Sequence, residues 1–196
     1  MKKLIFLTAI VSLSVYSCQK TGLDPINNST PIIANKTSVA IGADKQKDTV
    51  VNIKSNLRLQ LAMDSVNTDN IMICFDPATK DTYDPGEDAV TFQGWGKVSL
   101  SSFSSDNIPL AINKLPLMSA GVNIALKVNT CSNGIYRLTL QDLSNLTANY
   151  KVWLMDTYKK DSLDMGTNHV YAFNVYKSDT TSYGSNRFHL KVRSGY

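Results

Sequence analysis

In separate segments between residues 57 and 193 apolar side chains recur at every second position, and that period decides what kind of domain this chain can build. Leu57, Leu59, Leu61 and Met63 alternate with Arg58, Gln60 and Ala62, and Val122, Ile124, Leu126 and Val128 alternate with Asn123, Ala125 and Lys127. Successive side chains of a strand point to opposite faces, so such a segment buries one face and wets the other. Near the end, Phe188, Leu190 and Val192 are expected on a core face, with Arg187, His189, Lys191 and Arg193 in water, as in an antiparallel sheet solvated on one side. Shorter runs read as strands at 38–43, 49–53, 71–75, 89–92, 97–100, 109–113, 135–141, 150–155 and 169–176. Asp84-Pro85-Gly86, Asn133-Gly134 and Tyr183-Gly184-Ser185-Asn186 supply turn chemistry between them. No window beyond the first residues sustains a helical period. About a dozen strands spaced this way predict an all-β fold, a two-sheet antiparallel β-sandwich of the jelly-roll kind, with a closed barrel as the alternative that spacing does not separate from it. In Val152-Trp153-Leu154-Met155 both strand faces are apolar, which predicts Trp153 in the core.

Composition narrows the class further. With 43% hydrophobic and 18% charged residues among 196, and a mean hydropathy of −0.14, the chain is neither disordered throughout nor a polytopic membrane protein. The length suits one domain with a tail. Twenty Lys and Arg stand against sixteen Asp and Glu; without Lys2 and Lys3 the balance is eighteen to sixteen, or +2, too small for a nucleic-acid footprint.

Lys2 and Lys3 open a positive start, residues 4–15 form an apolar run, and Ser17 precedes Cys18, the layout of an export signal over residues 1–17. Twelve helical residues span roughly 18 Å against about 30 Å of hydrocarbon, too short for a transmembrane anchor. The segment resembles a bacterial lipoprotein signal, with Tyr16 where a small residue is usual. The resemblance implies cleavage before Cys18 and acylation of its thiol, hence membrane attachment through lipid; ordinary signal cleavage with Cys18 a bystander is the other reading. Residues 18–35, rich in Asn, Thr, Ser and Pro, read as a flexible tether, and 36–196 as the β domain. Of the remaining cysteines, Cys74 lies in an apolar run and Cys131 in a turn. They can pair in an exported protein, although a buried thiol is the plainer expectation for Cys74.

From Leu57 to Arg193 the order of short motifs resembles a β-sandwich module of surface and secreted proteins of bacteria that use type IX secretion. The motifs are Leu57-Arg58-Leu59, Phe75-Asp76 with Ala78-Thr79, Tyr83-Asp84 with Asp88-Ala89, Leu110-Ala111-Ile112-Asn113 with Leu115-Pro116, Gly134-Ile135-Tyr136-Arg137-Leu138, Trp153-Leu154-Met155-Asp156, Tyr171-Ala172-Phe173 and Arg187-Phe188. They cover about two thirds of the chain. The sorting domain that usually follows such a module is not part of this sequence, so the expectation is a module standing alone on its tether. The resemblance implies a fold and a setting in the outer membrane, at the cell surface or on the periplasmic side, and carries no catalytic residue. Asp48-Thr49, Asp64-Ser65, Asp161-Ser162 and Asp179-Thr180, each followed by an apolar residue or Thr, resemble the O-glycosylation sites of the same bacteria.

Few residues offer chemistry. Asp76, Asp81, Asp84, Glu87 and Asp88 form the densest acidic group, and Asp81, Asp84 and Asp88 are the candidate Ca²⁺ ligands, because hard cations take six to eight oxygens from flexible loops. Carboxylates in such loops also serve as solvated turn-formers. No other cofactor is expected. Tyr83 and Trp95 are candidate platforms for a sugar ring, against ordinary packing across the sandwich. Only His169 and His189 are available for acid–base work, and neither stands near a nucleophile elbow such as GxSxG. The sequence thus predicts a non-enzymatic, lipid-anchored envelope module for adhesion or ligand binding, with a glycan or an envelope protein as partner. A glycan-binding accessory protein and a small hydrolase are the alternatives.

Overall fold

A computed structural model of the protein describes residues 49–92, 96–146 and 148–194. The signal, the tether with Cys18, the 38–43 strand and Trp95 lie outside the described residues. Eleven strands are present among them, with no α-helix: β1 (Ser55–Ala62), β2 (Thr68–Phe75), β3 (Ala89–Val90), β4 (Val98–Phe103), β5 (Pro109–Leu115), β6 (Val122–Thr130), β7 (Gly134–Ser144), β8 (Tyr150–Asp156), β9 (Asp161–Asp164), β10 (Val170–Val175) and β11 (Gly184–Ser194). The alternation delivers the strands where it is regular: Leu57, Leu59 and Leu61, and Leu126 and Val128, are wholly buried. The 49–53 run yields only a bridge from Val50 to Met118, and β9 is an addition that its sequence, Asp161-Ser162-Leu163-Asp164, gave no period to find.

The fold is all-β, but the expected two-sheet antiparallel jelly roll is corrected by the strand order. Ten strands run β10-β7-β1-β2-β5-β4-β6-β11-β8-β9 in one continuous mixed sheet, nearly closed and barrel-like, with β3 attached to β5. The joint is β5, which pairs in parallel with β2 from Met72–Ile112 to Phe75–Leu115 and antiparallel with β4 at Ser102–Leu110. Alternation fixes which face of a strand is buried and leaves its neighbours undetermined, so the spacing could not reveal this joint. For the same reason Asn133-Gly134 does not close a hairpin: β6 belongs beside β4 and β11, and β7 beside β1 and β10. That link is an arch between two runs of the sheet, β10-β7-β1-β2 on one side of β5 and β4-β6-β11-β8-β9 on the other. It is fastened by the Tyr136 hydroxyl donating to Ser132 O at 2.9 Å, and by the Lys177 amide and ammonium donating to Asn133 Oδ1 at 2.6 Å and Thr130 O at 2.8 Å.

The interior is filled from both runs. Tyr136 stacks on Phe173, and Phe173 meets Phe188 edge-on at 4.7 Å, so β7 and β10 pack against β11 across the core. Gly121, ahead of β6, has φ +93°, and a Cβ there would lie 2.8 Å from the Arg193 Cβ and closer still to the Val192 carbonyl oxygen. Only glycine both adopts that φ freely and admits this approach of β11. Trp153 is corrected from the core to the outer face: Val152 and Leu154 point inward, while the half-buried indole lies beside the Arg193 guanidinium at 6.0 Å. Cys74 is buried, Cys131 is exposed, and the two are not joined.

Candidate functional site

The acidic segment between β2 and β4 spends its carboxylates on backbone amides and on lysines: Lys54 Nζ lies 3.0 Å from Asp76 Oδ2 and Lys114 Nζ 3.5 Å from Glu87 Oε1. Asp76 Oδ1 accepts from the Ala78 amide at 3.0 Å, and Asp84 Oδ1 from the Gly86 amide at 2.8 Å. Asp88 Oδ2 accepts from the Asp84 amide at 2.8 Å, and its Oδ1 from the Lys114 amide at 2.7 Å. Asp81 lends its backbone oxygen to the Ser105 amide. The Asp76 and Asp84 bonds are Asx-type turns, while Asp88 staples the segment to Asp84 and to β5; together they fix the chain path between strands. Among the described residues no three His, Cys, Asp or Glu side chains are grouped to hold a metal ion, so Asp81, Asp84 and Asp88 are not assembled as a ligand set. Tyr83 is half-buried in the same segment, its amide donating to Asp106 Oδ1 at 3.0 Å.

The densest chemistry lies elsewhere, at a residue expected in water. Opposite β6, Gly184 pairs with Val128 and Phe188 with Leu126, so three residues of β11 stand against one. This bulge breaks the period, and both Arg187 and Phe188 turn inward. Arg187 is 1% exposed. Its Nε and Nη2 donate to the two oxygens of Asp156 at 3.0 and 2.7 Å, and its Nη1 to Asn174 O at 2.8 Å and to Ser182 O. The rings of Tyr158, Phe173 and Phe188 lie within 4.8 Å of the guanidinium carbon. Asp156, also 1% exposed, further accepts the Tyr171 hydroxyl at 3.0 Å and the Tyr158 and Lys159 amides at 3.0 and 3.2 Å.

Burial pushes the Asp156 carboxyl up, but the Arg187 hydrogen bonds and charge, the Lys159 amide and the Tyr171 hydroxyl outweigh it and hold the group below the usual carboxylate range. Burial, then the neighbouring Asp156 charge, pushes the Tyr171 phenol well up, so it remains a donor. One guanidinium therefore ties β8, β10, β11 and the short 3₁₀ turn Thr180–Ser182 together where the two runs of strands come nearest to closing.

Above this clasp opens a cleft of about 560 Å³, within the size range of small-ligand sites. Thr157 and Tyr158 leave β8 on one side, Thr180 and Thr181 come from the 3₁₀ turn, and Tyr183 to Asn186 lead into β11. Its walls are held by internal bonds. The Thr157 hydroxyl donates to Asn186 O at 2.7 Å, and the Tyr158 hydroxyl donates to Asp179 Oδ2 at 2.9 Å. Asp179 also accepts from the Thr181 hydroxyl and amide at 2.5 and 3.0 Å. The Thr181 hydroxyl, with the Tyr158 phenol and Thr181 amide, holds the Asp179 carboxyl below its ordinary range, and the same bond to Asp179 raises the Tyr158 phenol. On the far wall the Lys177 ammonium sits 3.6 Å from the Tyr183 ring centroid. Tyr158 is 39% exposed, with Arg187 backing one ring face.

The histidines are not assembled for catalysis by proton transfer to a hydroxyl or thiol: His169 Nδ1 donates to Met165 O at 2.7 Å, and His189 Nδ1 is buried without a partner among the described residues. Cys131 and Thr130 border a smaller concavity of about 180 Å³ between β4 and β6. Of the cleft residues only Thr180 was singled out from sequence, as a resemblance to an O-glycosylation site at Asp179-Thr180, and none was expected to bind a ligand. The other signal there was Tyr183-Gly184-Ser185-Asn186, read only as a turn. No family model, no curated protein and no solved structure matches the chain.

Proposed function

We propose that this protein is a non-enzymatic binding module of the bacterial cell envelope, held to a membrane by a lipid on Cys18. The observation that carries the binding half of this reading is the cleft over Arg187, whose walls are fixed by internal hydrogen bonds before any ligand arrives. Pre-organised walls favour binding because less side-chain freedom is lost when the partner docks. The signal layout ending at Ser17-Cys18 supports the lipid half, and the resemblance to modules of type IX-secreting bacteria supports a surface or periplasmic setting. Stable anchoring takes two acyl chains or more, since each buried CH₂ contributes only about 0.8 kcal/mol.

Two measurements test it. Cys18→Ala should move the protein from the membrane pellet to the soluble fraction and abolish labelling by a radioactive fatty acid; a variant that still pellets after a salt wash refutes the anchor. The released Cys18→Ala chain should bind envelope fragments of its host cell, and Thr180→Trp, which fills the cleft from an exposed position, should abolish that binding. Binding that survives Thr180→Trp moves the site away from the cleft.

A further inference from the structure

We infer that the cleft takes the end of a neutral glycan, one pyranose ring lying on Tyr158 and its hydroxyls bonded by Thr180, Ser185 and Asn186. This rests on the binding reading above and moves the sugar platform from Tyr83 and Trp95, where the sequence suggested it. Three properties of the cleft point to that ligand class. The first is a flat, partly exposed ring with a guanidinium behind it, so whatever comes from solvent meets the other face. A pyranose has an apolar C–H face that covers such a ring, and a rigid aromatic side chain offers that area at little entropic cost.

The second is the hydrogen-bonding rim. Among the described residues the side chains of Thr180, Ser185 and Asn186 are not engaged in the protein's own hydrogen bonds, whereas those of Thr157 and Thr181 are. Hydroxyl and amide groups that both donate and accept match the hydroxyls at the edge of a sugar, each of which does the same. The third is charge. The cleft is lined by no charged side chain, and the three charged groups that touch its lining residues are already engaged. Asp179 accepts three hydrogen bonds, Lys177 is occupied by Thr130 O and the Tyr183 ring, and Arg187 is sealed beneath Tyr158. An anionic or cationic ligand would be desolvated here with no counter-charge to receive it. A peptide adding to the neighbouring β10 edge would find the Asn174 carbonyl already taken by Arg187.

The test is calorimetric titration of the full-length Cys18→Ala protein with neutral oligosaccharides (glucan, mannan, xylan and chitin fragments) and charged ones (polygalacturonate and heparin fragments). Neutral fragments should bind and charged ones should not. Tyr158→Ala should weaken binding roughly tenfold or more, the worth of one aromatic stacking contact. Because Tyr158 also touches Arg187, Asn186→Ala is the companion variant; it alters only an exposed side chain and should weaken binding with an unchanged melting temperature. Preference for the charged fragments, or neutral binding that survives both substitutions, overturns the assignment. If no fragment binds while envelope fragments are still retained in a Thr180→Trp-sensitive way, the glycan assignment falls and the binding module stands. If neither binds, both fall.

Discussion

Replacing Arg187 by methionine keeps most of the side chain's length and apolar packing while removing four hydrogen bonds. These run to the Asp156 carboxylate, through both of its oxygens, and to the carbonyl oxygens of Asn174 and Ser182. Asp156 would then be a buried carboxylate held only by the Tyr171 hydroxyl and two amides. Removing one partner of a buried ion pair costs about 3–5 kcal/mol, because the other charge is left without compensation. For a domain of this size that lowers the melting temperature by roughly 6–20 °C.

The pH dependence carries a sign that other defects do not share. In the wild type the folded-state pKa of Asp156 is depressed, so its contribution is present above the unfolded carboxylate pKa and is lost as pH falls through the lower folded value. In Arg187→Met the burial effect is left dominant and the folded pKa rises. The variant is then relatively most stable where Asp156 is protonated, and it loses stability as pH rises from the unfolded to the raised folded pKa. The deficit against wild type, measured by urea unfolding, should therefore be larger at about pH 7 than at about pH 4. A deficit under about 1 kcal/mol would mean that the pair is not buried in solution. A full-sized deficit independent of pH would assign the loss to the two carbonyls rather than to Asp156.

Further outcomes follow from the same geometry. Leu154→Ala, which empties a core position, should cost about 2–5 kcal/mol, and Trp153→Ala, which trims a half-buried outer ring, about 1–2 kcal/mol; the reverse order in denaturant melts would return Trp153 to the core. Gly121→Ala should destabilise by more than about 1 kcal/mol, since the positive φ and the approach of β11 both oppose a Cβ, and an unchanged melt would refute that contact. Calcium and chelator should give superimposable melting curves, because Asp84 and Asp88 already bond backbone amides. A calcium-dependent rise that vanishes in Asp84→Asn would make the loop a metal site.

What the sequence made legible was the face of each strand, and only where the period held. Leu57 to Leu61 and Leu126 to Val128 read correctly because in a regular strand burial follows parity. Arg187 read wrongly because the bulge beginning at Gly184 shifts parity within β11, and nothing local marks a bulge except the glycine itself. Trp153 misled for another reason: with apolar residues on both faces of β8 the pattern gives no parity to choose, and hydrophobicity alone favoured the larger side chain. The cleft was invisible because its walls come from the end of β8, the 3₁₀ turn and the start of β11, which only the pairing of β8 with β11 brings together. The acidic segment stood out in sequence because five carboxylates fall within thirteen positions, and the structure uses them for turns, ion pairs and the tie to β5.

The arch at Asn133-Gly134 and the position of β11 bear on the order in which such a chain can fold. The last of the eleven strands is no edge: it lies between β6 and β8, pairing with both along most of its length. The arch keeps β6 from pairing with its successor β7, so β6 and β7 each wait for partners distant in sequence, β11 for the one and β1 for the other. Contacts so distant in sequence form slowly, because the loop entropy is lost before the pairing compensates it. A nascent chain lacking residues 184–194 would leave β6 and β8 each with an unfilled side and Asp156 without its guanidinium. The order of synthesis thus leaves the joint between β6 and β8, and the buried ion pair beside it, to the last segment of the sheet to be made.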